Sequence, residues 1–271
     1  MTPAAGPKLR LLPGRITLDE VRAMAGAVDA PGSADGPARL SDMLLGIDES
    51  SLASLRLDIA AEPHVYMLGD TGSGKSAFLR AYAREAMRIA TPKQLQFFVV
   101  DYRRSLLGEV PEDYLTGYLT TNAQASTEIA GLAEYLQTRL PGPDVTPAQL
   151  RTRSWWRGAE VVLLVDDYAL VATSSGNPLA AVARLLAQAR DIGLHLVLTR
   201  RSGGASRALY EPLLQGLRDL ASPGILLSGD PGEGPLIGRL KPRRAVPGRA
   251  TIVFRDRGEV AAQLAWTEPE Q

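Results

Sequence analysis

Residues 69–76 have the composition of a loop that binds phosphate groups. The segment reads GDTGSGKS, a full match to the pattern of one glycine, four variable residues and then Gly-Lys-Ser or Gly-Lys-Thr. Its glycines permit backbone conformations that larger residues resist, so successive N–H groups can point at one anion. Lys75 can reach the β- and γ-phosphates, and the Ser76 hydroxyl can complete a Mg²⁺ coordination sphere. The predicted nucleotide-binding residues are Gly69, Asp70, Thr71, Gly72, Ser73, Gly74, Lys75, Ser76 and Ala77.

Two acidic residues follow the most apolar short run of the chain, residues 161–165. Asp166 is expected to hold Mg²⁺, together with Ser76 and through water. Asp167 occupies the position at which many ATPases of this kind carry the glutamate that activates the attacking water. A turn or cap at the end of a strand is the structural alternative for this pair. Asp101, which also ends an apolar run, is a weaker candidate of the same type.

Two features predict slow ATP hydrolysis. Aspartate is one methylene shorter than glutamate, so the carboxylate of Asp167 can fall short of the water, and a misplacement of about 1 Å can cost roughly 100-fold in rate. Arg200 follows a predicted strand at the position where a polar γ-phosphate sensor is expected, and an arginine cannot accept a hydrogen bond. The predicted catalytic residues are therefore Lys75, Asp167 and Arg200, with tight ATP binding and weak turnover by the isolated chain.

Other residues have weaker claims to a function. The two histidines, His64 and His195, fit a packing role. The tryptophans Trp155 and Trp156 fit the core or a partner contact better than base stacking. Three arginine pairs are candidate phosphate contacts or fingers acting on a neighbouring site, with a solvated surface as the alternative. These pairs are Arg103 with Arg104, Arg200 with Arg201, and Arg243 with Arg244.

The periodicity of apolar residues predicts the elements that must position these groups. Strands are predicted at 55–59, 65–68, 97–100, 161–165, 194–199, 225–227, 251–254 and 260–264, and helices at 76–89, 122–140, 177–193 and 205–217. Asn122 is the predicted cap of the second of these helices. Strands that alternate with helices indicate an α/β fold with a mostly parallel central sheet and helices on both faces.

The N-terminal residues differ from the rest. Residues 1–40 are rich in proline and small residues, which is typical of a linker or a surface arm. A short helix is predicted within it, with Thr17 as N-cap and Glu20 as its capping-box partner. Residues 41–271 form the predicted P-loop NTPase domain.

Composition excludes several classes of protein. The 271 residues carry 30 Lys+Arg and 30 Asp+Glu, and this neutrality argues against a dedicated nucleic-acid binder. There is no cysteine and there are two histidines, so disulfides, thiol nucleophiles and Cys- or His-rich metal sites are not expected. No apolar run approaches the roughly 18 residues of a membrane helix, and no signal peptide is evident. A cytoplasmic protein is expected.

The motifs together resemble the FtsK/SpoIIIE branch of P-loop ATPases, which has a RecA/FtsK-like fold. The segment ARDIGLHLVLTR at 189–200 is similar to that branch's A-R-x-x-G-I-H-L-x-x-A-T-Q pattern. Within the branch, the chain is most similar to the C-terminal ATPase modules of type VII (ESX) secretion motors. The segments that carry this resemblance are LPGRI at 12–16, VDDY at 165–168, LSGDPGEG at 227–234, PGR at 247–249 and LAW at 264–266.

The resemblance implies an ATP- and Mg²⁺-binding module at the cytoplasmic side of an inner-membrane secretion complex. Its implied partners are other ATPase domains of the same motor and the C-terminal signals of small helical substrates of the WXG100 type, with membrane contact only through the rest of the complex and no nucleic acid. Arg200 in place of glutamine and Asp167 in place of glutamate are departures that put hydrolysis in doubt. Two alternatives stay open: a DNA translocase of the same fold, and a docking module that holds its nucleotide without hydrolysing it.

Overall fold

The computed structural model describes residues 11–26, 41–174 and 176–269. The strands are β1 (Met43–Asp48), β2 (Ser54–Leu57), β3 (His64–Leu68), β4 (Leu95–Val100), β5 (Leu115–Leu119), β6 (Glu160–Val165), β7 (Leu194–Arg200), β8 (Gly224–Leu226), β9 (Arg249–Phe254) and β10 (Gly258–Leu264). The helices are α1 (Leu18–Ala25), α2 (Lys75–Ile89), α3 (Asn122–Gln137), α4 (Pro147–Thr152), α5 (Tyr168–Val171), α6 (Ala180–Ala183), α7 (Ala189–Ile192), α8 (Ala205–Ala208) and α9 (Pro212–Asp219).

A ten-stranded sheet forms the centre of the molecule, in the order β2-β1-β10-β9-β8-β3-β7-β6-β4-β5. The six strands from β8 to β5 are parallel. The four strands from β2 to β9 are joined to each other and to β8 by antiparallel pairing. The carboxyl ends of β3, β4, β6 and β7 therefore meet at one edge, where an α/β sheet binds its ligands.

Both faces of the sheet are covered, as the sequence predicts. On one face α3 and the helices after β6 pack on side chains such as Leu163 and Leu196. On the other face α2 packs through Phe78, Leu79 and Tyr82 on the central strands. Strands buried on both faces need apolar residues at nearly every position, which explains the apolar run in β6. The predicted mostly parallel α/β fold with helices on both faces is confirmed.

Several predicted elements differ from those observed. The predicted helix at 177–193 is instead α6, a 3₁₀ turn at Leu186–Gln188, and α7. The predicted helix at 205–217 is divided into α8 and α9, because Pro212 cannot continue a helix from the preceding turn and begins a new one. Thr121, and not Asn122, caps α3, since its side chain accepts the Gln124 N–H.

Four further elements, β1, β5, α4 and α5, are not predicted from the sequence. The strands β1 and β5 each contain a glycine that interrupts the alternation of apolar residues, Gly46 and Gly117. Pro147 is the first residue of α4, where its missing N–H costs nothing.

The short N-terminal helix α1 is confirmed, with the capping box between Thr17 and Glu20. It packs on the domain through Leu18 and Val21, which join a small apolar cluster with Leu44 and Ile47 of β1. Residues 1–10 and 27–40 of the predicted linker lie outside the described residues. Within the described part of the chain, no helix has the length and apolarity needed to cross a membrane.

Candidate nucleotide site

The glycine-rich loop connects the buried strand β3 to α2 and is shaped by contacts that only glycine permits. A Cβ on Gly69 would lie 2.6 Å from Ser73 Oγ and 2.7 Å from Leu227 Cβ. Gly72 and Gly74 have φ values of 76° and 112°, which side chains rarely adopt. These glycines let the loop turn tightly into the N-terminus of α2, which favours negative charge.

Backbone hydrogen bonds from three other segments fix this loop. The Gly69 N–H donates to Arg200 O at 3.1 Å, and the Asp70 N–H donates to Ser228 O at 2.8 Å. On the far side, the Gly248 N–H donates to Ser73 O at 2.8 Å. The Asp70 carboxylate accepts a hydrogen bond from the Ser202 hydroxyl. Asp70 therefore ties the loop to the segment after β7.

Lys75 is the first residue of α2, and its ammonium group contacts the loop itself. Its Nζ donates to Gly69 O at 2.9 Å and to Asp70 O at 2.7 Å. Burial lowers the pKa of Lys75, while the carboxylates of Asp167, Asp166 and Asp70 oppose this shift. A phosphate in the loop would offer Nζ a stronger, charged acceptor than these two carbonyls.

Asp166 lies at the end of β6 and is the centre of a hydroxyl cluster. It accepts hydrogen bonds from Ser76 Oγ at 3.2 Å, Thr199 Oγ1 at 2.8 Å and Ser105 Oγ at 2.5 Å. Carboxylate and hydroxyl oxygens are the hard ligands that Mg²⁺ prefers, so Ser76 and Asp166 fit a Mg²⁺ ion that also binds water and phosphate. The described residues contain no group of three or more His, Cys, Asp or Glu side chains that could hold a metal alone.

Asp167 has an unusual backbone and an ion pair. Its φ of 49° places it in the left-handed region, which costs energy for a residue other than glycine. Its Oδ2 lies 3.0 Å from a guanidinium nitrogen of Arg103, whereas Oδ1 is buried without a hydrogen-bond partner. The carboxylate at the expected base position is thus held by an arginine of the same chain.

A cavity of about 510 Å³ lies over the loop and contains these groups. It is lined by Thr71, Gly72, Gly74, Lys75, Ser76, Ala77, Arg80, Arg103, Ser105, Asp166, Asp167, Arg201, Pro247 and Trp266. Its size lies within the range of roughly 300–1,000 Å³ that is usual for small-molecule sites. The structure therefore brings the predicted lysine, serine and both acids together around one space.

Arg200 is not among the residues that line this cavity. Its guanidinium donates to the carbonyls of Arg201, Gly203 and Gly204 at 2.9 to 3.4 Å, and burial lowers its pKa. The exposed neighbour Arg201 lines the cavity instead. Arg200 thus supports the turn after β7 in this structure, and the arginines among the residues that line the cavity are Arg80, Arg103 and Arg201.

Sequence reasoning missed Thr199, Ser105 and Trp266 as members of the site. Thr199 had a usable signal, because it lies near the carboxyl end of a parallel strand adjacent to β6. Ser105 and Trp266 had none, since they come from segments far from the loop in sequence.

The remaining candidates have structural roles in the described contacts. Asp101 accepts hydrogen bonds from the N–H groups of Arg103 and Leu106 and from Tyr118 Oη, which orders the turn that presents Ser105. The indole N–H groups of Trp155 and Trp156 donate to the carbonyls of Arg139 and Asp191.

The two histidines are buried and hydrogen-bonded. His64 contacts Leu186 O and Leu196 N, and His195 contacts Glu160. Arg104, Arg243 and Arg244 are exposed.

Comparison with known proteins agrees with this geometry. Residues 40–126 match the model of the FtsK/SpoIIIE family. The ESX-4 secretion system protein EccC4 of Mycobacterium tuberculosis is 43% identical over 263 residues, which are 97% of this chain and 20% of that protein. The chain thus contains an FtsK/SpoIIIE-type domain and is similar over almost all of its length to an ESX secretion ATPase.

Solved structures of relatives show the same fold. The cytoplasmic domain of the Thermomonospora curvata type VII secretion ATPase EccC superimposes with a TM-score of 0.87 and 41% identity, over 98% of this chain and 30% of that one. ATPases 2 and 3 of T. curvata EccC, solved in complex with a signal sequence peptide, superimpose with a TM-score of 0.86 and 42% identity, over 97% of this chain and 45% of that one. The chain spans about a fifth of the length of the full EccC proteins that it matches. Its similarity to EccC ATPase domains is thus shown, and the family implies nucleotide binding.

Proposed function

We propose that this chain is an ATP·Mg²⁺-binding module of a type VII secretion motor that hydrolyses ATP weakly and recognises the signal sequence of a secreted substrate. The observation that carries the proposal is the juxtaposition of Lys75 and Ser76 with Asp166 in one cavity. The similarity of almost the whole chain to EccC ATPase domains supports the motor assignment.

Each residue of the site has a proposed role toward the nucleotide. The N–H groups of the loop and Lys75 bind the phosphates, and Ser76 with Asp166 holds the Mg²⁺. The ion would neutralise charge on the phosphates, as in other P-loop NTPases. Asp167 is the proposed base, and its ion pair with Arg103 agrees with weak turnover. Arg200 is retained only as a positioning residue, because its guanidinium faces backbone carbonyls.

Calorimetry of ATP·Mg²⁺ binding tests the nucleotide site. Wild-type protein should bind, and Lys75→Ala should lose most of the affinity, because it removes a charge-assisted contact to phosphate worth roughly 1.5–3 kcal/mol. Arg244→Ala is the matched control, since Arg244 is an exposed cation outside the lining residues. Equal affinities of the wild type and Lys75→Ala would contradict the proposal. Turnover of several ATP per second by the isolated chain would contradict weak hydrolysis.

A separate, more apolar cavity is the proposed place for the signal sequence. It has about 400 Å³, lies between α3 and strands β4 to β6, and includes Phe98, Leu132, Tyr135 and Val161 in its lining. An amphipathic helix binds by placing its apolar face in such a groove. The occupant we propose is the C-terminal signal of a WXG100-type protein, by analogy with the EccC structure solved with a signal sequence peptide.

Filling this cavity tests the docking site. Gly131 lines the cavity on α3, and a Cβ at this position meets nothing within 4 Å, so Gly131→Phe fills the space without a clash at the backbone. Ala130→Phe adds the same ring to an exposed residue of α3 that does not line the cavity. Fluorescence anisotropy with a labelled signal peptide should show weaker binding for Gly131→Phe only. Equal binding by both variants would exclude this groove.

The proposed partners and place in the cell follow from the same analogy. They are other ATPase domains of the motor and a WXG100-type substrate, on the cytoplasmic side of the inner-membrane complex. A DNA translocase is disfavoured by the neutral charge. Stimulation of hydrolysis by duplex DNA, with an affinity that falls steeply with salt, would instead support that alternative. Slow exchange of the nucleotide bound to the wild-type protein, together with unchanged signal-peptide binding in Lys75→Ala, would favour a nucleotide-locked docking module.

A further inference from the structure

The residues proposed to bind phosphate and Mg²⁺ line one part of the nucleotide cavity, and side chains of a different kind line another part. Pro247 and Trp266 line the cavity in addition to the loop, the acids and the arginines. Trp266 is the one aromatic side chain among the described residues that line this space. None of the roles assigned so far uses it.

The backbone of Trp266 is held firmly beside the start of α2. Its N–H donates to Ile16 O at 2.8 Å, and its carbonyl accepts from Leu18 N at 3.3 Å. The next residue, Thr267, donates through Oγ1 to Ala77 O at 3.3 Å, and its carbonyl accepts from Arg80 Nε at 3.3 Å. The indole is therefore positioned relative to the first turn of α2, where the phosphates bind.

A cation covers one face of the indole. The Arg15 guanidinium carbon lies 3.2 Å from the ring centroid. Arg15 lines a second cavity, which also contains Trp266, and it does not line the nucleotide cavity. Trp266 thus lines both cavities, whereas Arg15, which covers the ring, lines only the second.

We propose that Trp266 is the platform on which the base of the bound nucleotide stacks, with Pro247 beside it. This proposal rests on the proposed nucleotide function of the same cavity. A purine is flat and apolar on its faces, and stacking of a base on an aromatic side chain is sequence-tolerant and strong. The residues that hold the phosphates cannot recognise a base, so an aromatic wall supplies the remaining affinity. Arg15 holds the indole in its orientation from the other side and does not contact the nucleotide.

A comparison of ATP with tripolyphosphate, which lacks the nucleoside, tests base stacking separately from phosphate binding. Calorimetry with ATP·Mg²⁺ and with tripolyphosphate·Mg²⁺ is performed on wild type, Trp266→Ala and Trp266→Phe. Trp266→Ala should bind ATP about 5- to 150-fold more weakly, the range expected for one lost stacking contact. Its affinity for tripolyphosphate should equal that of wild type, and Trp266→Phe should retain most of the ATP affinity.

Fluorescence gives a readout that does not depend on a variant of Trp266. The chain has three tryptophans, so Trp155→Phe/Trp156→Phe leaves Trp266 as the single reporter. ATP should quench its emission and tripolyphosphate should not. The base platform is excluded if ATP binds with no change in this emission, or if Trp266→Ala weakens both ligands equally. If wild type binds neither ligand, the proposed function fails instead.

Discussion

At the scale of single residues, the site is centred on the carboxylate of Asp166 and the hydroxyl groups around it. Asp166 accepts hydrogen bonds from three hydroxyl groups, which belong to α2, β7 and the turn after β4. Each hydroxyl can rotate to present a lone pair to a metal. Arg103 in turn holds Asp167, and more than half of its side-chain surface is exposed, at 55%. Arg103 is therefore free to turn toward an incoming phosphate.

The length of the side chain at position 167 is expected to limit hydrolysis. Asp167→Glu extends the carboxylate by one methylene toward the attacking water, and we expect the rate of ATP hydrolysis to rise by roughly 10- to 100-fold. A coupled assay of phosphate release at saturating ATP measures this rate. Asp167→Asn, which cannot take a proton, should not exceed the wild type. A rate for Asp167→Glu at or below the wild-type rate, with ATP still bound, would place the base elsewhere.

At the scale of elements, a buried carboxylate joins α1 to the domain. Glu85 of α2 is fully buried and accepts hydrogen bonds from Arg22 Nε at 2.6 Å and from the Leu44 N–H at 3.2 Å. It also pairs with Arg88 of the same helix at 2.8 Å. One side chain thus connects α1, β1 and α2, and α1 belongs to the packed structure.

Removing this carboxylate should destabilise the protein strongly. Glu85→Ala leaves the Leu44 N–H and Arg22 without their shared acceptor, and we expect a loss of about 3–5 kcal/mol in the free energy of unfolding. Urea denaturation followed by circular dichroism measures it. Arg22→Ala breaks only the contact to α1 and should cost less. Similar losses for the two variants would mean that the carboxylate serves α1 alone.

The elements also show what sequence could and could not predict. The loop at 69–76 and the acids at 166 and 167 were predictable because their chemistry is carried by consecutive residues. Ser105 and Trp266 reach the site only through the topology of the fold, which no local pattern encodes, whereas Thr199 could have been inferred from its place near the carboxyl end of a predicted strand. The strand β1 escaped detection because Gly46 interrupts it; a Cβ there would lie 2.1 Å from Gln263 O, so the glycine serves the neighbouring strand. The break between α8 and α9 could have been predicted from the sequence, because Pro212 begins a new helix there.

At the scale of the whole molecule, one buried histidine makes stability depend on pH. His64 in β3 makes contacts through both ring nitrogens: Nε2 lies 3.1 Å from Leu186 O, and Nδ1 accepts the Leu196 N–H at 3.2 Å. This pattern requires the neutral ring with its proton on Nε2. Burial lowers the pKa of His64 to about 4, against an ordinary value of 6.5; the carbonyl of Leu186 opposes this shift and the charge of His195 adds to it.

The sign of the pH effect follows from this lowered pKa. His64 takes up a proton near pH 6.5 in the unfolded chain and only near pH 4 in the folded chain. The free energy of unfolding is therefore highest above pH 6.5 and falls as the pH drops toward 4. We expect a loss of about 2 kcal/mol in the free energy of unfolding between pH 7 and pH 5. Urea denaturation at the two values measures it. In His64→Gln this difference should shrink, and an identical slope in both proteins would rule out His64 as the cause.

The order of the sheet has a consequence for biosynthesis. Among the described strands, the hairpin of β1 and β2 joins the sheet only through β10, which the ribosome makes roughly 200 residues later. At ordinary rates of about 5–20 residues per second, the edge of β1 that pairs with β10 stays unpaired for at least about 10 seconds. A nascent chain in that interval exposes hydrogen-bonding groups that a neighbouring polypeptide could capture. The demand of this hairpin for a chaperone should therefore last until β10 has emerged from the ribosome.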